Sequence, residues 1–163
     1  MPQKRIFLDY AAGGENPSAI HAEGVAARRA LEDARARIAR VIGASSDEVV
    51  ITSGGTEGNN LALRQAEGKH VITSSLEHPS VTEPARFWAS DVSIASPDSI
   101  AEKIRPDTKL VSFCYASSEF GTVQPLARIA RELKMKNGKG KILFHTDACQ
   151  APVNLPINVK GLG

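Results

Sequence analysis

The sequence predicts an α/β fold, a three-layer α/β/α sandwich built on a mainly parallel sheet. Three observations carry this expectation. Short β-branched runs alternate with helix-length stretches along most of the 163 residues, the pattern of strands joined by crossover helices. The strand runs are almost continuously apolar, as in strands covered on both faces. The clusters of glycine, histidine and carboxylate follow directly on strand runs, and in such sheets ligands bind beyond the carboxyl ends of the strands. A chain of this length holds one domain with a sizeable core.

The elements follow in order. Residues 6–8 are a short extended run, closed by the small turn Ala11-Ala12-Gly13-Gly14. Pro17 and Ser18 open a helix over 20–42, in which Ile20, Val25, Ala27, Leu31, Ala34, Ile38 and Val41 recur at roughly helical spacing, and Gly43 is its stop. Val49-Val50-Ile51-Thr52 reads as a buried strand running into Gly54-Gly55, after which 56–66 is helical and Gly68 ends it. Strands at 70–73, 92–95, 110–115 and 142–145 then alternate with helices at 80–88, 98–104 and 126–135. The segment 136–141, rich in lysine and glycine, reads as a solvated turn.

Apolar residues make up 42% of the chain and charged residues 23%, which is ordinary for a globular protein and excludes wholesale disorder. Net charge is +2. Arg28, Arg29, Arg35, Arg37 and Arg40 fall on a helical stretch as a solvated face, with no aromatic-interleaved basic strip, so nucleic acid is not an expected partner. No apolar run is long enough for a bilayer, and no apolar segment follows Met-Pro-Gln-Lys-Arg, so a cytoplasmic location without membrane contact is expected. Cys114 and Cys149 are expected as buried, reduced thiols rather than as a disulfide or metal pair, and no metal site is expected.

Three motifs carry chemistry. Ser53-Gly54-Gly55-Thr56-Glu57-Gly58-Asn59-Asn60 places two glycines and a hydroxyl where a strand meets a helix. Backbone N–H groups there favour an anion, although Thr56 as a plain helix N-cap is the simpler alternative. In Leu76-Glu77-His78-Pro79 the proline keeps His78 extended. Its ring is either a hydrogen-bonded loop imidazole or a flat surface that stacks on a cofactor ring and relays a proton. His145-Thr146-Asp147-Ala148-Cys149-Gln150 puts a carboxylate at a strand mouth, with His145 two residues away on the same face or packed at the strand end. Asp147 either caps the next turn or holds a heterocyclic nitrogen protonated. A phosphate cradle, a ring to stack on and an acid for a protonated heterocycle together fit pyridoxal 5'-phosphate.

In this order the motifs, with Leu8-Asp9-Tyr10-Ala11-Ala12, Asn16-Pro17-Ser18-Ala19-Ile20-His21 and Gly121-Thr122-Val123-Gln124-Pro125, resemble the cysteine desulfurase group of the class V aminotransferase-like, fold type I pyridoxal-phosphate enzymes. The resemblance implies that Gly55 and Thr56 bind the cofactor phosphate, and that His78 stacks on the ring as a catalytic residue. It further implies that Asp147 pairs with the ring nitrogen and that Gln150 bonds the phenolic oxygen. Ser118 stands where the family has a cofactor- or substrate-contacting asparagine, and a hydroxyl is shorter than an amide and offers fewer hydrogen bonds.

The implied activity is removal of sulfur from L-cysteine, giving alanine and a persulfide for iron–sulfur cluster or thiocofactor assembly. A homodimer and a sulfur-accepting scaffold protein are the implied partners. The alternatives are a selenocysteine lyase or another class V aminotransferase, and, of another class, a non-catalytic remnant of the fold acting as a binding module. The family's cofactor-anchoring lysine and sulfur-accepting cysteine follow the strand-end aspartate at a distance. Lys160 is the only lysine after Gln150 and its surroundings read as surface. Residues 1–163 are therefore expected to be an N-terminal segment plus a partial, truncated large (cofactor-binding) domain without the C-terminal small domain, inactive as written.

Overall fold

The structure, a computed structural model, describes residues 16–136 and 142–162. The runs expected at 6–8 and 11–14, and most of the 136–141 turn, lie outside the described residues. The chain divides between Val50 and Ile51 into two compact units. In the first, helix α1 (Ala22–Ile42) is capped by His21, whose Nδ1 accepts from the Gly24 N–H, and is ended by Gly43 at φ 71°, the left-handed conformation that glycine adopts without cost. A Cβ at Gly24 would stand 2.5 Å from the Ala19 carbonyl oxygen, so the preceding turn can fold back there only onto a glycine. Ile20 and Val41 stay exposed despite their place in the apolar pattern.

The second unit contains α2 (Gly55–Arg64), β1 (His70–Thr73), α3 (Pro79–Trp88), β2 (Asp91–Ile94), α4 (Ile100–Lys103), β3 (Thr108–Ser112), α5 (Leu126–Lys136), β4 (Leu143–His145) and α6 (Val159–Leu162). Its four strands pair in parallel in the order β2-β1-β3-β4. Side-chain alternation along the strands divides the core in two. Val71 and Leu110 pack with Leu63, Ala66, Val81 and Ala85, on the side of α2 and α3. Ile72, Val111 and Phe113 pack with Ile100, Leu126, Ile129 and Leu133, on the side of α4 and α5. The sheet is covered on both faces, which is the expected three-layer α/β/α arrangement. Each fully buried aliphatic or aromatic side chain contributes about 1.5–3 kcal/mol to that packing. No helix among the described residues is long and apolar enough to cross a membrane.

Two expectations are corrected. Val49-Val50-Ile51-Thr52 forms no strand, and Val50 and Ile51 are exposed. A β-branched run becomes a strand only when a neighbour supplies its ladder, and none of the four described strands pairs with it. Cys149 is exposed, unlike the buried Cys114. It lies beyond the end of β4, in a turn that the apolar run does not carry inward.

His70, fully buried at the start of β1, is a structural histidine. Its Nδ1 lies 2.8 Å from Thr108 Oγ1, which also accepts from the Arg105 N–H, and its Nε2 lies 3.0 Å from Ser93 Oγ. Burial and the Arg105 charge push its pKa down against the pull of Asp107 and Asp91, so the ring is neutral.

Candidate functional site

A cleft of about 210 Å³ opens at the carboxyl ends of β1, β3 and β4. Gly55, Thr56, His78, Ser118, Asp147 and Gln150, every residue that the sequence marked for the site, line it together.

The glycine turn works through backbone geometry. Gly54, at φ 154°, occupies a region that side chains avoid, and it is the N-cap of α2. Thr56 is thus the second residue of the helix and not its cap, which corrects the simpler alternative: a glycine that supplies the turn displaces the hydroxyl from the capping position. The first-turn N–H groups of α2 have no partners within the helix and carry its positive dipole end. Glu57 lies in that first turn, and its Oε2 accepts from Ser53 N at 2.6 Å and Ser53 Oγ at 2.7 Å. A Cβ at Gly55 would stand 2.6 Å from Cys149 Sγ. Gly55→Ala is therefore expected to cost about 1 kcal/mol, and adding Cys149→Ala to recover at least half of it. Chemical denaturation of the two single variants and the double variant checks this, and strictly additive costs would show that the contact is absent.

His78 caps α3 from an extended backbone, φ −65° and ψ 150°, with Pro79 as the first helical residue. Its Nδ1 accepts from Ser80 N at 3.1 Å and lies 2.8 Å from Ser80 Oγ. An Nδ1 that accepts leaves the proton of the neutral ring on Nε2. His78 is hydrogen-bonded in its loop and also borders the cleft.

Asp147 lies just past β4. Its Oδ1 accepts from Cys149 N at 3.0 Å and its Oδ2 from Asn59 Nδ2 at 2.8 Å. Burial alone would raise its pKa, but the hydrogen bonds from Cys149 and Asn59, with the nearby His145, outweigh it and hold the carboxyl below the usual carboxylate range. His145 itself turns to the sheet, with Nδ1 2.9 Å from Ser112 Oγ, and is not among the lining residues.

Several lining residues carried no sequence signal strong enough to assign a role. Glu77 reaches from the histidine loop to the end of β3, where its Oε1 accepts from Cys114 N at 2.6 Å and Ser74 Oγ at 2.8 Å, while its buried Oε2 has no partner. Burial dominates and raises its pKa to about 7, with the Asp147 charge adding to the shift and the Cys114 and Ser74 hydrogen bonds opposing it. A carboxyl whose folded pKa is raised contributes stability that is complete below the unfolded value near 4.5 and is lost as pH rises through about 7. Glu77→Gln is expected to leave stability at pH 4 nearly unchanged and to raise it by about 1–3 kcal/mol at pH 8. Urea melts at the two pH values test this, and an equal difference at both would refute it. Burial also pushes the Cys114 thiol up to about 12, helped by the Glu77 and Asp147 charges. Burial and Asp147 raise Cys149 in the same direction. The surroundings of both sulfurs therefore favour the thiol over the thiolate.

The last wall is the turn bearing Ser118 and Glu119. Gly121 at φ 65° closes it, with Ser117 N donating to the Thr122 carbonyl and Gly121 N to that of Ser117. Lys160 is exposed on α6 and does not line the cleft.

A parallel sheet with helices on both faces, and a cleft at its strand ends built from a glycine turn, a histidine cap and a buffered carboxylate, define an α/β protein of the fold type I class. Residues 4–163 match the aminotransferase class-V family model, and the chain belongs to that family. It is 39% identical over 196 residues to the cysteine desulfurase IscS of Dictyoglomus turgidum, across 99% of this chain and 49% of that protein. To the cysteine desulfurase IscS of Methanosarcina thermophila it is 37% identical, across 90% of this chain and 40% of that one. Among solved structures, SspA in complex with cysteine superposes with a TM-score of 0.83 at 35% identity, covering 90% of this chain and 46% of that one. A NifS-like protein from Rickettsia africae gives 0.82 at 29% identity, covering 91% and 44%. The chain spans about half the length of the curated relatives it matches.

Proposed function

We propose that this chain forms the cofactor-binding part of a cysteine desulfurase that uses pyridoxal 5'-phosphate. The observation that carries the proposal is the convergence of Gly55, Thr56, His78, Ser118, Asp147 and Gln150 on one cleft. The residues fit the cofactor. The free N–H groups at the start of α2 favour a phosphate, and Thr56 adds its hydroxyl there. His78 offers a ring to stack on, Asp147 an ionised carboxylate with lone pairs left for a pyridinium N–H, and Gln150 an amide for the phenolic oxygen. When bound, the cofactor supplies an electron sink for charge at the α-carbon of an amino acid.

The relatives' names and the cysteine held by SspA support L-cysteine as substrate, with alanine and a persulfide on an acceptor cysteine as products. Neither Cys114 nor Cys149 matches the family's sulfur-accepting loop cysteine, so on the resemblance the acceptor is a different thiol. A cytoplasmic homodimer that passes sulfur to an iron–sulfur or thiocofactor scaffold belongs to the same proposal and rests on the family resemblance.

The 163-residue chain itself is expected to bind pyridoxal phosphate weakly and reversibly, in competition with inorganic phosphate, and to release neither alanine nor sulfide from cysteine. The test is an absorbance titration, followed by borohydride reduction and mapping of any modified lysine by mass spectrometry. A folded chain that binds no cofactor would defeat the proposal. A stoichiometric adduct at Lys160 with turnover would instead make the chain a self-sufficient enzyme.

A further inference from the structure

Asn59 is 5% exposed, sits on α2 and contributes nothing to the core clusters. Its Nδ2 lies 2.8 Å from Asp147 Oδ2 and 2.9 Å from Ser80 Oγ. A side-chain amide nitrogen has two hydrogens and no acceptor capacity, so both contacts are donations by Asn59. The Ser80 oxygen that accepts from Asn59 keeps its own proton free to donate to His78 Nδ1, 2.8 Å away. The four residues therefore form one directed chain, with Asn59 at its centre donating in both directions. The buried amide has been taken out of water to make these two bonds, and neither belongs to secondary structure.

We infer that Asn59 is a positioning residue that couples the two principal cofactor contacts, fixing the Asp147 carboxylate with one N–H and, through Ser80, the His78 ring with the other. The assignment of Asp147 and His78 to a cofactor rests on the proposed function, whereas the coupling itself does not require a cofactor. An aspartate at position 59 could make neither donation. A serine or alanine there could not span both partners.

Nuclear magnetic resonance of the cofactor-free, full 163-residue chain tests the coupling. In the wild type, the Asn59 side-chain amide protons are expected to exchange slowly with water, and one of them to shift with the titration midpoint of the Asp147 carboxyl carbon. Asn59→Leu removes both donors without adding charge, and should raise that midpoint by about one unit, the scale of one lost hydrogen bond to a carboxylate. Ser80→Ala should move the His78 Nδ1 resonance and leave the Asp147 midpoint in place. Should Asn59→Leu fail to fold, the wild-type titration and Ser80→Ala still decide the matter. An Asn59 amide that ignores the Asp147 titration, or a Ser80→Ala variant whose His78 Nδ1 resonance does not move, would overturn the coupling. Pyridoxal phosphate titration separates the two ideas: no binding to the wild type defeats the functional proposal while the resonances still report on Asn59. Binding that weakens roughly tenfold in Asn59→Leu supports both.

Discussion

Asp147→Asn is expected to leave the fold intact and to weaken pyridoxal phosphate binding to the chain by about tenfold to a hundredfold, the worth of one charge-assisted hydrogen bond. In a form of the protein that carries the cofactor-anchoring lysine, turnover should fall by at least about a hundredfold, because a neutral amide cannot hold a ring nitrogen protonated. The effect follows from the arrangement around the carboxylate. Cys149 N and Asn59 Nδ2 keep it ionised and in place. Since the folded pKa of Asp147 is lowered, its charge persists through neutral and mildly acidic pH. Wild-type affinity should therefore decline only as pH falls below the ordinary carboxylate range, and the variant should lack that decline. Isothermal titration across pH measures both, and equal affinities would remove Asp147 from the site.

Phe113→Ala is expected to destabilise the chain by about 3–5 kcal/mol, through lost burial and the cavity left behind. Phe113 is fully buried among Ile100, Leu126 and Ile129, and its own N–H donates to the His145 carbonyl at 3.1 Å. That loss is a large part of the roughly 5–15 kcal/mol that holds a domain together. The next residue, Cys114, anchors Glu77 through its backbone N–H, so the cleft should loosen with the core. Guanidinium melts give the number, and a cost below 1 kcal/mol would mean that this face of the sheet is not a packed core.

Much of this was legible in the sequence for a physical reason. The strands β1 and β3 are buried on both faces, so their apolar runs need no subtle pattern to be seen, and the helices on either side of β1 are opened by the glycine turn and by Pro79. The six expected residues line one cleft because the start of α2 and the segments that follow β1, β3 and β4 meet at one end of the sheet. Val49-Val50-Ile51-Thr52 misled because β-branched composition reports local stiffness and says nothing about a ladder partner. The end of β3 was misplaced because the chain runs on extended past Ser112, with Tyr115 N still donating to the Asp147 carbonyl at 2.8 Å. Asn59 escaped notice because its role exists only through a contact between residues 88 apart. The acid preceding His78 was visible, but its buried, partnerless oxygen was not.

The strand order has a consequence for how the chain reaches its final state. Among the described residues all three strand pairings are parallel, so no neighbours in that sheet can be joined by a tight hairpin, and each ladder closes a long loop before it gains a contact. Such topologies fold slowly, because chain entropy is lost early and recovered late. The bond from Asn59 to Asp147 spans the glycine turn and the last strand, so it can form only after β1, β3 and β4 have assembled. Ligand affinity should then appear in the slowest phase of refolding, after the helices have gained their signal, and the cleft becomes a marker of completed folding.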